Sequence, residues 1–130
     1  MASDIYEAIG YALLNESAIT DVVGSRIYHG IRPEGDAPCI NYFEVGYIPL
    51  HNGVVESPRY QISCRAADPK VAQELARTVC TVFHNYRGSV DGFAIDMGTI
   101  EDKRMLPEPN TNLYHVPVDV RFVYSELTVS

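Results

Sequence analysis

The residues able to do chemistry in this chain are few and scattered. Histidines stand at positions 29, 51, 84 and 115, cysteines at 39, 64 and 80, and the densest carboxylates are Asp96, Glu101 and Asp102. Histidine and cysteine at short spacing would hold zinc, but there is no CxxC pair and no Cys/His cluster. Cys64 falls on an apolar strand face and Cys80 in a helical pattern, so the odd, widely spaced thiols read as free and buried, which suits a reducing compartment. Asp96, Glu101 and Asp102 could hold a divalent cation or exchange protons. With no nucleophile or glycine-rich loop beside them, they read as a solvated strand end. Gly88 and Gly92 could cradle an anion, although a turn between helix and strand accounts for them. The nucleophile elbow GxSxG, the P-loop, GxGxxG and HExxH are all missing from the sequence. The expectation is no catalytic residue, no metal ligand and no cofactor.

The totals narrow the function classes further. At 130 residues the chain has the size of one domain and can bury a core without metals or disulfides. Its formal net charge is −7, so it gains little from counterion release on phosphate, and general nucleic-acid binding is disfavoured. Local basic spots at Arg59/Arg65 and Lys103/Arg104 make no long stripe. The apolar runs are too short to span a membrane, and the first residues lack the basic-then-apolar pattern of a secretory leader.

The elements that must position any site can be read from periodicity. Ile5, Ala8, Ile9, Ala12 and Leu13 make one buried stripe of a first helix, opened by an Asp4/Glu7 capping box and ended by Asn15. A short helical turn over 17–23 closes on Gly24. Strands are predicted at 27–29 and 39–47, with a turn-rich loop over 32–38 between them. From 59 to 66, Tyr60, Ile62, Cys64 and Ala66 share one face while Arg59, Gln61, Ser63 and Arg65 share the other. Asp68 and Pro69 then supply an N-cap and a first-turn proline for a second long helix, striped by Val71, Leu75, Val79, Val82 and Phe83 and ending near Tyr86. A turn over 87–92 leads to a strand at 93–100, a loop or connection between strands at 101–112 and the strongest β signal, in which Tyr114, Val116, Val118, Val120, Phe122 and Tyr124 point one way. Pro117 interrupts this strand's polar side and predicts an edge or a bulge there.

These elements compose a single α+β domain over 1–130: a mainly antiparallel sheet with two α-helices packed on one face. Ile9, Leu13, Ile62, Leu75, Val79, Val118, Val120 and Phe122 are the expected core. One segment does not fit a self-contained domain. Residues 46–58 carry Tyr47, Ile48, Leu50, Val54 and Val55 around Asn52-Gly53, a pair that favours a tight hairpin turn. Apolar residues on a loop mark an interaction surface. These five are a candidate interaction surface on a projecting hairpin arm; the alternative is that they fold back on the domain's own sheet.

The pattern over nearly the whole chain resembles the tail completion family of long-tailed bacteriophages, the tail terminator or tail-to-head joining proteins. Four stretches carry the resemblance. The opening helix and turn run from Ile5-Tyr6-Glu7-Ala8 to Val23-Gly24-Ser25-Arg26-Ile27-Tyr28. The loop into a strand is Ala37-Pro38-Cys39-Ile40-Asn41-Tyr42. The strand Arg59-Tyr60-Gln61-Ile62-Ser63-Cys64 is followed by an alanine- and valine-rich helix, and the ending runs from Glu108-Pro109 through Tyr114-His115-Val116-Pro117 to Phe122. The resemblance implies a virion protein that assembles in the host bacterial cytoplasm and sits at the tail end, or neck. It implies a ring, in this family typically a hexamer. Such a ring caps the tail tube, ends its polymerisation and presents a docking surface to the head–tail connector, the head completion protein. Genomic DNA would pass through without specific binding, and no membrane is involved. The alternative from the residues alone is a small α+β ligand-binding or regulatory domain.

Overall fold

The computed structural model describes residues 5–30, 37–48, 55–90, 93–108 and 112–126. The Asp4 capping box, the Asn52-Gly53 turn, Gly92 and the last four residues lie outside them. Helix α1 (Ile5–Leu14) ends where the Asn15 amide and side chain both donate to Tyr11 O, and α2 (Ser17–Val23) closes on Gly24 at φ 60°. Strands β1 (Ile27–His29), β2 (Cys39–Ile48) and β3 (Val55–Ala66) follow. Helix α3 (Pro69–Phe83) begins as its sequence dictates, with Asp68 Oδ1 accepting from the Lys70 amide at 2.9 Å. The chain finishes with β4 (Gly88–Val90), β5 (Phe93–Lys103), β6 (Leu106–Glu108) and β7 (Leu113–Glu126).

The strands form one seven-stranded sheet in the order β1-β2-β3-β7-β5-β4, with β6 pairing β7 beyond the end of β5. Only β1 and β2 run parallel among the described pairs. This is the predicted α+β domain, with α2 as a third, short helix. Two readings of the sequence change. The predicted loop or connection at 101–112 holds the end of β5 and all of β6. The strand carrying Pro117 is not an edge but is flanked on both sides. Pro117 lies opposite Ser63 on β3; on its other side β5 stops at Lys103, opposite Val118, and β6 starts at Leu106, opposite His115. The partner strand is interrupted there, at Arg104-Met105, so a residue without an N–H is accommodated in a central strand.

Every residue of the expected core is buried. Phe122 anchors it, meeting the Phe83 ring edge-on at 5.3 Å and the Tyr60 ring at 6.2 Å. Burying side chains of this size contributes about 1.5–3 kcal/mol each. Helix α3 lies over β3, β7 and β5, while α1 packs against both β1 and β4, the two ends of the strand order. The sheet therefore curls around α1. Close approach is enforced at Gly98: a Cβ there would stand 2.5 Å from Phe83 O, and the Gly98 backbone exchanges hydrogen bonds with Asn85 (2.8 Å) and Tyr86 (3.0 Å) just past the end of α3.

Candidate assembly surface

The residues with chemical potential are dispersed by the fold. His29 stacks on Tyr6 at 3.9 Å, on the α1 side of β1. His84 caps α3 through its amide, and His115 pairs with Arg65 across β7 and β3. His51 lies outside the described residues. Among those described, no group of three or more His, Cys, Asp or Glu is placed to hold a metal. The three cysteines are free thiols; Cys39 and Cys64 are buried, and burial pushes the Cys64 thiol well above its ordinary range. Burial also raises Cys80, offset by the nearby charge of Lys103.

The acidic cluster is split by the strand it sits on. A bulge in β5 between Ile100 and Asp102 sets Glu101 apart, and its carboxylate pairs with Arg121 of β7. Asp102 lies 3.8 Å from Arg104 Nε. The same sheet face carries Arg59 beside Asp119, Arg65 donating to Asn41 Oδ1, and Gln61 donating to Ser63 Oγ at 3.0 Å. Ser63 and Asn41 are buried under these longer side chains. Most of the polar face is paired within itself, although Arg59 Nε is buried without a hydrogen bond, 4.0 Å from Asp119.

The β2–β3 hairpin is real as far as its pairing is described: Ile48 faces Ser57, and Val55 on β3 faces Ser125 of β7. Tyr47 is half exposed, at 50%, and Val45 is also exposed. Val45 is the extra residue of a bulge between Glu44 and Gly46. The backbones of Ile48 and Val55 are strand, but their side chains are outside the description, as are Leu50 and Val54 entirely. Of the five predicted interface residues, Tyr47 alone can therefore be placed as a surface side chain.

Two grooves open on the helix side. One, of about 530 Å³, lies between α1 and the end of α3, lined by Tyr11, Ala12, Asn15, Glu16, Val82, Tyr86 and Ser89. The other, of about 260 Å³, lies between α3 and the β5–β6 connection, lined by Gln73, Arg77, Lys103, Arg104, Met105 and Val116. Neither lining pairs a nucleophile with a base.

A protein-family model for tail completion protein gp17 matches residues 7–125. The chain belongs to the tail completion protein gp17 family. It is a structural component of a phage-type virion tail, not a member of a known enzyme family. The fold agrees: a chain from the virion of a native gene transfer agent particle superposes with a TM-score of 0.71, covering 95% of this chain and 99% of that one at 10% identity. Among curated proteins nothing matches. The sequence pointed to the hairpin, and to Lys103/Arg104 as a basic spot. It gave no sign that Arg77, on α3 and two strands earlier in the chain, joins them in one groove.

Proposed function

We propose that the chain forms a ring, in the hexameric form usual for such proteins, that caps the tail tube, ends its polymerisation and offers the docking surface for the head–tail connector. What carries this reading is the family match over residues 7–125. A solved chain of the same fold belongs to a virion particle, which supports it. The ring's partners are other copies of the chain, the tail tube protein and the connector. A net charge of −7 suits a ring that lets DNA pass without gripping it.

Contacts between subunits in a ring are head-to-tail, so one surface of each copy meets a different surface of the next. The apolar hairpin of Tyr47, Ile48, Leu50, Val54 and Val55 is the proposed reach of one subunit towards its neighbour or the tube. The test is the double variant Ile48→Ser with Leu50→Ser. It should keep the parent melting temperature and lose ring formation or tail joining, read by light scattering and by electron microscopy of tails. Early melting, or assembly equal to the parent, would remove the hairpin from the interface. Tails of uncontrolled length in the absence of the protein are expected; tails of normal length without it would sink the capping function itself.

A further inference from the structure

Three of the chain's ten basic residues meet in one groove. Arg77 comes from the middle of α3, and Lys103 and Arg104 come from the end of β5 and the connection to β6. Gln73, one turn before Arg77, reaches Met105 Sδ at 3.5 Å, and Val116 of β7 lies in the lining. Arg104 has Asp102 at 3.8 Å; among the described residues Arg77 and Lys103 have no ion-pair partner. The lining also holds an exposed apolar side chain, Met105, at 39%. Three cations beside Met105 and Val116 fit a carboxylate flanked by apolar groups.

A complementary surface exists on the far flank of the sheet. Of the exposed carboxylates described, Asp68 caps α3, Glu74 lies on α3 next to Gln73, Glu101 pairs with Arg121 and Asp102 with Arg104. Asp21 has no exposed large apolar neighbour in α2, whereas Glu44 is followed by exposed Val45 and Tyr47. The bulge at Val45 sets Glu44 and Tyr47 on one face of β2, because their partners on β3, Tyr60 and Pro58, are alternate residues. Two strands, β3 and β7, separate β2 from β5. The two surfaces therefore belong to opposite flanks of one subunit and suit a head-to-tail contact between two. Copies that each carry −7 repel at long range, so their contact needs local charge complementarity.

The geometry points to the α3/β5–β6 groove as the receptor for β2 of a second copy, with Glu44 between Arg77 and Lys103 and with Val45 and Tyr47 against Met105. This rests on the ring reading and names the two surfaces that meet. Tyrosine, methionine and arginine are the side chains that interface centres favour. Isotope-labelled and unlabelled chains, mixed, assembled on tail tubes and treated with a carbodiimide, should give a Glu44–Lys103 link between labelled and unlabelled peptides. Glu44→Lys alone, or Arg77→Glu with Lys103→Glu, should weaken self-association by roughly tenfold or more, and the combined reversal should restore it. All these positions are solvent-exposed, and unchanged melting temperatures will show that the variants fold. Lys103 linked to a different carboxylate, or no rescue in the combined variant, overturns the pairing. If the Arg77/Lys103 variant self-associates normally but no longer joins tail tubes, the groove receives another protein and the second copy is excluded. If both charge variants assemble like the parent while the Ile48/Leu50 variant does not, the groove assignment fails and the ring reading stands. A parent chain that never oligomerises, in solution or on tubes, overturns both.

Discussion

On the helix-covered face of the sheet, Ile62, Val118, Val120 and Phe122 are fully shielded and locked against α3. On the other face of the same two strands, Gln61, Asp119 and Arg121 take their place and pair with one another's neighbours: Arg121 with Glu101, Arg59 near Asp119, Gln61 with Ser63. Both faces exclude water from their centres, since Ser63 and Asn41 are as buried as many core residues. They do so by different means. One face is held by close-packed volume, where removing atoms leaves a cavity. The other is held by flexible, charged side chains lying over short ones, where a lost partner is replaced by water or by a second partner. Substitutions should therefore be costly on the first face and mild on the second, which leaves the second free to change with its partners.

The largest expected effect is in the packed face. Phe122→Ala removes the ring that joins Phe83 to Tyr60 and should cost about 3–5 kcal/mol; Leu75→Ala, on α3, should cost about 2–5 kcal/mol. Denaturant unfolding measures both, and a change under about 0.5 kcal/mol for Leu75 would mean α3 is not seated as described. Next comes Gly98→Ala, whose Cβ would press on Phe83 O. A methyl group forced against backbone should cost about 1–3 kcal/mol. If the variant is as stable as the parent, the end of α3 does not sit on β5.

A smaller effect marks the border between the two regimes at Tyr42, on the packed side of β2. Its hydroxyl donates to Tyr6 O at 2.9 Å. Burial first, then Tyr6 and Glu7, push its pKa from 10.0 up to about 12. The folded state thus favours the neutral phenol. The stability this contributes is complete below pH 10 and lost as pH rises towards 12. Thermal melts of the parent should fall more steeply over that window than those of Tyr42→Phe; parallel curves would show that the hydroxyl ionises freely. The smallest effect belongs to the polar face. Glu101→Gln should cost less than about 1 kcal/mol, because Arg121 also donates to Ser57 O at 3.3 Å. A loss several times larger would mean that this face is as tightly specified as the packed one.

Much of the architecture was legible because it is written in local periodicity. The stripe from Ile5 to Leu13, the alternation from Tyr60 to Ala66 and that from Tyr114 to Tyr124 each mark a face with no knowledge of the partner. The alternation failed at Ser63, which a period-two reading places in water. Gln61 and Arg65 on the same face and Asn41 on the next strand cover it, and that coverage depends on strand pairing. The apolar hairpin was legible by composition, and Tyr47 is indeed exposed. The groove was half legible: Lys103 and Arg104 are adjacent in sequence, while Arg77 joins them only through the docking of α3.

The sequence by itself determined the α+β class, the positions of the two long helices, the apolar faces of β3 and β7, and, through its overall pattern, the tail completion family. Those follow from side-chain spacing and backbone preferences over a few residues, which act wherever the chain goes. The tertiary structure alone decided that the strand bearing Pro117 is central, that β5 runs on to Lys103 with β6 beyond it, that α1 touches both ends of the sheet, and that Arg77 meets Lys103 and Arg104. Strand neighbours are chosen by register and by long-range burial, and an interruption in one strand is tolerated only where its neighbour is interrupted too. No window of sequence contains both partners of such a choice.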